Sequence, residues 1–292
     1  MANILSLQSH VAYGYVGNKA AVFPLQRMGH EVISINTVQF SNHTGYGSWT
    51  GDIMSIEHID KIFDGLNQRG ALDNLDGVLT GYLGDKTLGE VLLKWLKVIK
   101  DKNPNVVYCC DPVIGDTDRG VFVRPGVAEF FSEQAVKYAS ILTPNQFELT
   151  NLTGIEINSL EDATRACQQL HQRGAEIILV TSLTRQEADQ NQIEMLLSCS
   201  DEVLLVATPR LEMPIAPNGS GDMTAAIFLA KFLETNDTAE SLAHTAAAIY
   251  AVFCKTRQLQ QRELAIIQAQ EEIVTPSRKF PIHILNSEDE PE

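Results

Sequence analysis

The chain predicts an α/β fold: a mainly parallel central sheet with helices on both faces. Three observations predict it. Short apolar runs such as Ile177-Ile178-Leu179-Val180 recur, and unbroken apolarity suits strands buried on both sides. Segments with helical apolar spacing separate these runs; Leu92, Leu93, Leu96 and Ile99 form one. Polar residues follow the runs directly, at Ser9, Tyr82, Asp111, Thr143 and Thr181. In a parallel sheet such positions converge on one rim, where ligands bind.

The elements follow in order. Residues 4–7 read as a strand, and a turn with Gly14 and Gly17 leads to a helix over 19–27. Residues 31–40 alternate as a strand. The stretch 42–51 is rich in glycine and aromatic residues and reads as a functional loop or flap. A helix over 56–66 buries Ile59, Ile62, Phe63 and Leu66, and a strand over 77–80 ends at Gly81-Tyr82. Next come a helix over 88–100, a strand over 106–110, a helix over 127–138 and a strand over 141–142. Ser159 and Asp162 form a capping box that opens a helix through 172, and Gly174 stops it. Strands at 177–181, 194–197 and 203–207 follow, the last two as a meander. A helix after Asp222 and helical segments over 239–256 and 261–273 complete the pattern. The expected organisation is one domain over 1–274 and an acidic, disordered tail over 275–292.

Composition narrows the function. A formal net charge of -15 argues against generic nucleic-acid binding, which needs basic patches. The five cysteines are odd in number, two are adjacent, and no C-x-x-C occurs. That pattern suggests neither a disulfide framework nor a thiolate zinc site, and a reducing cytoplasm is the simplest setting. No signal peptide and no membrane span are expected, because the apolar runs are far too short.

The candidate chemistry centres on Asn218-Gly219-Ser220-Gly221-Asp222, which opens an apolar helical segment. Helix N-termini present unpaired N–H groups and partial positive charge, and glycines let an anion come close. Asp222 reads either as a base beside a bound phosphate or as a plain N-cap. Asp111 and Asp116 flank a Pro/Gly turn, and read as oxygen ligands for Mg²⁺ or as turn residues. Thr143, Asn145 and Glu148 offer oxygens at a strand exit, or cap the helix that follows. Thr181 and Ser182 could donate hydroxyls to phosphate or sit in a surface turn. Phe40, Tyr46 and Tyr82 could stack on a flat ligand, and Ser9, His10, His43 and Thr44 could bond its substituents. Neither a P-loop nor the protein-kinase signature set occurs.

Seven segments occur in the order seen in pyridoxal kinases of the ribokinase superfamily. They are Gln8-Ser9-His10, residues 14–18, residues 37–46, Thr80-Gly81-Tyr82, residues 111–116, residues 143–148 and Gly219-Ser220-Gly221-Asp222. The resemblance spans residues 3–273; the glycine motif marks the superfamily, whereas Thr37-Val38-Gln39-Phe40-Ser41-Asn42-His43-Thr44 is far more specific. It implies a ribokinase-like three-layer sandwich and transfer of the ATP γ-phosphoryl to the 5′-hydroxymethyl group of pyridoxal. Pyridoxine and pyridoxamine would be further acceptors.

By that resemblance Asp222 is the base, and Gly219 and Gly221 form the anion hole. Ser9, Val16, Phe40, His43, Thr44 and Tyr82 contact the vitamer. Asp111, Asp116, Asn145 and Glu148 organise Mg²⁺–ATP, and Thr143, Asp111 and Thr181 hold a monovalent cation, K⁺. Thr181, Ser182, Thr208, Pro209, Arg210, Leu211 and Ser220 are nucleotide contacts. Thr181 stands where one branch of the family has Lys, so the chain resembles the Thr-Ser branch typified by the animal enzyme. The resemblance further implies a homodimer. A hydroxymethylpyrimidine kinase of the same superfamily and a non-catalytic binder of pyridoxal phosphate or nucleotide are the competing readings.

Overall fold

The parallel strands fill the middle of one sheet because their residues face helices on both sides. The computed structural model describes residues 1–185, 187–200 and 202–285. In chain order the first elements are β1 (Asn3–Val11), α1 (Asn18–Arg27), β2 (Glu31–Phe40), β3 (Gly51–Ile53) and α2 (Ile56–Gln68). Next are β4 (Gly77–Thr80), α3 (Lys86–Lys102), β5 (Val107–Cys110), β6 (Gly115–Asp116), β7 (Gly120–Val121) and α4 (Val127–Phe130). Then follow β8 (Ile141–Leu142), α5 (Gln146–Thr153), α6 (Leu160–Gln172), β9 (Ile177–Leu183), β10 (Gln192–Ser198) and β11 (Val203–Pro209). The last are α7 (Ser220–Thr235), α8 (Thr238–Gln258), α9 (Gln270–Val274) and β12 (Ile282–Ile284).

The main sheet has ten strands in the order β12-β11-β10-β9-β8-β5-β4-β1-β2-β3. The run from β9 to β2 is parallel, and β3, β10, β11 and β12 pair antiparallel at the edges. Neighbouring strand residues go to opposite cores. Leu5, Val78, Cys110, Leu142 and Ile178 pack with α2, α3 and the elements from α4 to α6. Ile4, Leu79, Cys109, Ile141 and Leu179 pack with α1, α7, α8 and α9. This is why the strands read as apolar runs instead of alternating.

The chain runs outward from β1 in both directions, so the strand order reverses between β1 and β4. A crevice opens at such a switch point. Helix α7 packs against α1, α8 and β4 on one face. Gly77 has no side chain to push α7 away; a Cβ there would stand 3.0 Å from Leu233 Cδ1.

Four expectations need correction. The helix expected over 127–138 is not regular: α4 passes into a π turn at Phe131–Ala135 and a 3-10 turn at Val136–Tyr138. The buried pairs Phe130/Phe131 and Ala135/Val136 sit side by side, and a widened turn helps consecutive residues share one face. The helix expected over 261–273 shrinks to α9, because Leu264, Ala265 and Ile266 are all fully buried. Three consecutive buried residues do not fit one stripe of a helix. Strand β9 runs on to Leu183, so Thr181 and Ser182 lie inside it and not beyond it. The tail is ordered as far as 285: β12 pairs with β11, and the Leu285 N–H donates to the Val203 carbonyl at 2.8 Å. Residues 286–292 lie outside the described residues.

Strand β12 covers the β11 edge, and Phe280 packs edge-on against Tyr250 at 5.1 Å. Deleting residues 277–292 should lower Tm by roughly 4 °C and make loss of soluble protein on heating concentration-dependent, because β11 becomes a free edge. A scanning calorimetry series at several protein concentrations checks both effects.

Candidate active site

Backbone hydrogen bonds align the strand exits in one row. Gly81 N–H donates to Leu7 O, Asp111 to Thr80 O, Thr143 to Cys110 O and Thr181 to Pro144 O, at 2.9–3.3 Å. Gly81, Asp111 and Thr143 thus leave β4, β5 and β8 side by side, next to Thr181 within β9, whereas Ser9 lies within β1, which runs on to Val11. Across the sheet, Glu194 of β10 pairs with Leu183 of β9 and Ala207 of β11, next to Ser182 and Thr208. Thr208 is buried, whereas Pro209 and Arg210 are exposed and Leu211 is half-buried. The Arg210 N–H is tied to Asn191 O at 2.6 Å.

Helix α7 starts at the glycine loop with no side-chain cap. Its first N–H groups thus lack the usual partner and point their partial charge outward. Gly219 has φ 86°, and a Cβ there would fall 1.9 Å from Tyr15 O. The loop therefore sits flush against the turn at 14–17. A Cβ on Gly221 would meet nothing within 4 Å, so that side is open.

Asp222 faces the same turn and accepts from the Gly17 N–H. A Cβ on Gly17 would overlap Ser9, so the turn packs tightly on the end of β1. Burial raises Asp222 to about 6, against the pull of the Gly17 bond. Below the turn, Asn18 is buried and ties β1 to β2: it accepts from Ser6 Oγ at 2.7 Å and donates to Ile35 O at 2.9 Å.

Asp111 is fully enclosed. Burial, and then the charges of Glu148 and Asp222, push its carboxyl well above the carboxylate range; the Thr143 hydroxyl, 3.3 Å away, pulls the other way. Burial lifts Glu148 to about 7 despite three backbone donors. Those donors are Ile114 N (2.9 Å) and Gly115 N (3.5 Å) on Oε1, and Asn145 N (2.9 Å) on Oε2. Asn145 completes a capping box: its Oδ1 accepts from Glu148 N, and its Nδ2 reaches Gly115 O at 2.9 Å. Asp116 is bound by Arg119, which outweighs burial and holds its pKa low.

Among the described residues no three His, Cys, Asp or Glu side chains stand together as a ready ligand set. Of the carboxylates expected to bind metal, Asp111 has the least committed oxygens, with one accepting from the Thr143 hydroxyl. Glu148 and Asp116 have theirs taken by backbone N–H groups and Arg119. Carboxylates that repel one another in a buried space form a donor set that a hard cation relieves, directly or through its waters.

Thr44 lies on the flap, and Phe40 ends β2 just before it. Its 3-10 turn (Thr44–Tyr46) is capped by His43, whose Nδ1 accepts from Gly45 N at 3.1 Å. Burial, then Arg119, lowers His43 to about 4, so it is neutral at pH 7. The structure gives His43 a capping role. Asn218 of the glycine loop approaches the flap: a Cβ on Gly45 would be 3.6 Å from its Nδ2. Phe40 packs on Trp49 at 6.4 Å, and the Tyr82 carbonyl accepts from Thr37 Oγ1 at 2.7 Å. Val16 is buried and Thr44 exposed. Two residues escaped the sequence reading. Arg262 stacks on Tyr46 at 3.5 Å, and Glu263 accepts from the Tyr46 hydroxyl at 2.5 Å. Both lie in the stretch misread as helix, which hid them.

The two glycines of the loop should respond oppositely. Gly219→Ala should destabilise by about 2 kcal/mol or more, from positive φ plus overlap with Tyr15 O. Gly221→Ala should hold stability within about 0.5 kcal/mol, since the position is helical and open. Urea unfolding of both variants separates them.

The family model described as phosphomethylpyrimidine kinase matches residues 52–266. The chain is 47% identical over 281 residues to pyridoxal kinase PdxY of Rubrobacter xylanophilus, covering 96% of each. It is 45% identical to pyridoxal kinase PdxY of Granulibacter bethesdensis, covering 95% of this chain and 98% of the relative. Among solved structures, pyridoxal kinase from Leishmania donovani with ADP and ginkgotoxin superposes with a TM-score of 0.91 at 30% identity, over 98% of this chain and 100% of that one. The same Leishmania enzyme with ADP and pyridoxamine gives 0.91 at 30% identity, over the same shares. Full-length likeness at this identity, on the ribokinase-like sandwich described above, makes the chain a member of the pyridoxal kinase family.

Proposed function

We propose that this protein is an ATP-dependent pyridoxal kinase, phosphorylating the 5′-hydroxymethyl group of pyridoxal and also accepting pyridoxine and pyridoxamine. One observation carries the reading: a base-competent Asp222 stands at an uncapped helix N-terminus and against the turn that bears Val16. The relatives named pyridoxal kinase, and the Leishmania enzyme's complexes with ADP and vitamers, supply the substrate class.

The carboxylate of Asp222 takes the proton of the vitamer hydroxyl as its oxygen attacks the γ-phosphorus; the bond to the β-phosphate oxygen breaks and ADP leaves. The open N–H groups at Gly219, Ser220 and Gly221 hold the transferring phosphoryl. Ser9, Val16, Phe40, Thr44 and Tyr82 orient the ring. Asp111, with Asp116, Asn145 and Glu148 behind it, receives a divalent cation, Mg²⁺ in this reading, which neutralises phosphate charge when bound with ATP. Thr143, Asp111 and Thr181 take a monovalent cation, K⁺. Thr181, Ser182 and residues 208–211 line the nucleotide side. We place the enzyme in the cytoplasm as a homodimer; among the described residues no helix is long and apolar enough to cross a membrane.

ADP release with Mg²⁺, K⁺ and each vitamer, with hydroxymethylpyrimidine alongside, tests the reading. Preference for the pyrimidine moves the protein to the sister activity, and no turnover with any acceptor favours a binding protein. Asp222→Asn should cut kcat at least about 10²-fold while ATP affinity stays within about threefold. In the wild type kcat/KM should rise with pH through about 6, because the base works only when ionised.

The same group gives a stability prediction of opposite sense. Folding raises the Asp222 pKa from 3.8 to about 6, so the folded state binds more protons in that window. Its contribution is fully present below 3.8 and is lost as pH rises through about 6. Asp222→Asn should therefore gain on the wild type as pH rises, by about 1–2 kcal/mol at pH 8 after allowance for solvent access. Urea unfolding of the pair from pH 4 to 8 measures this gain.

A further inference from the structure

Two adjacent residues far along the chain hold both walls of the acceptor pocket. Glu263 and Arg262 lie between α8 and α9, just before the fully buried Leu264–Ile266 run, and Ala265 N–H is fixed on Thr256 Oγ1 at 2.9 Å. Their backbone is therefore anchored in the core. Glu263 Oε2 accepts from the Tyr15 N–H at 2.9 Å, and Oε1 accepts from the Tyr46 hydroxyl at 2.5 Å. Arg262 donates to Gly45 O at 3.0 Å and stacks on the Tyr46 ring at 3.5 Å. Gly14 makes the approach possible: it has φ 92°, and a Cβ there would fall 2.4 Å from Glu263 Oε2.

One carboxylate thus joins the flap to the turn. The turn carries Val16 and meets the glycine loop, where Tyr15 O packs on Gly219. The flap carries Thr44. We propose that Glu263 is a positioning residue for the acceptor: it clamps the flap at 43–46 onto the turn at 14–16, with Arg262 as the second grip. The inference rests on the vitamer-kinase reading. The bonds of Glu263 and Arg262 described here go to Tyr15, Tyr46 and Gly45, and none of these goes to Asp222 or the glycine loop. Loss of the clamp should weaken acceptor binding and admit water to the phosphoryl, with little effect on transfer itself.

The test compares Glu263→Ala, Glu263→Gln and Tyr46→Phe. Glu263→Ala should raise KM for pyridoxal about tenfold, keep kcat within about threefold and raise ATP hydrolysis without acceptor. Glu263→Gln keeps one acceptor oxygen and should fall between. Tyr46→Phe should add little to Glu263→Ala, because both remove the same contact. A merely structural role would instead lower the active fraction, so that kcat falls and KM stays. An active wild type with pyridoxal KM unchanged within about twofold in Glu263→Ala overturns the clamp. Amide hydrogen exchange over 43–50 is the second arm and needs no turnover: about tenfold faster exchange in Glu263→Ala upholds the clamp, and unchanged exchange overturns it. If the wild type phosphorylates no vitamer, the kinase reading fails, and the exchange arm decides the clamp alone.

Discussion

The site depends on one close approach: the start of α7 against the turn that follows β1. Gly219 lies on the Tyr15 carbonyl, and Asp222 accepts from the Gly17 N–H. No side chain fits at Gly219, where a Cβ would overlap the Tyr15 carbonyl; Gly17 is required for another reason, because a Cβ there would overlap Ser9. The approach sets Asp222 against the turn and leaves the start of α7 without a side-chain cap. The rest of the sheet serves to bring α7 across one face at the right depth.

Electrostatics at the edge pulls against that packing. Asp111, Glu148 and Asp222 are held in a common region, and burial raises each of their pKa values. The protein offsets part of the cost with hydrogen bonds: Glu148 receives three backbone N–H groups, Asp111 the Thr143 hydroxyl, and Asp222 the Gly17 N–H. The remainder is carried as an electrostatic cost at the site. Stability given up at a site for binding or chemistry is a common trade.

Much of the fold and the rim was legible in the sequence, for a physical reason. Buried parallel strands leave unbroken apolar runs, and the polar residue that ends each run marks the carboxyl edge. Asp111 and Thr143 stand at strand ends read this way, whereas Ser9 lies within β1 and the glycine loop was read from the apolar helix it opens. Glu148 was visible as a carboxylate, but its commitment to Ile114 and Gly115 depends on a contact across 34 positions that no local pattern encodes. The stretch at 261–273 misled for a related reason. Its apolar residues are buried consecutively beneath α8 instead of on a stripe, and composition alone cannot separate the two. Arg262 and Glu263 were lost with it. The β12 strand was hidden by its polar surroundings, since three residues on a sheet edge carry almost no periodic signal.

The bond between Tyr15 and Glu263 spans 248 positions. During synthesis the central strands leave the ribosome first, and β1, β2 and β4 can pair while later helices are still unmade. At ordinary elongation rates Glu263 is added roughly ten to fifty seconds after Tyr15. For that interval the nascent chain carries the turn at 14–17 and the flap with nothing to join them, and for most of it Asp222 does not exist. A product cut between residues 210 and 221 holds β1 to β11 but lacks both Asp222 and Glu263.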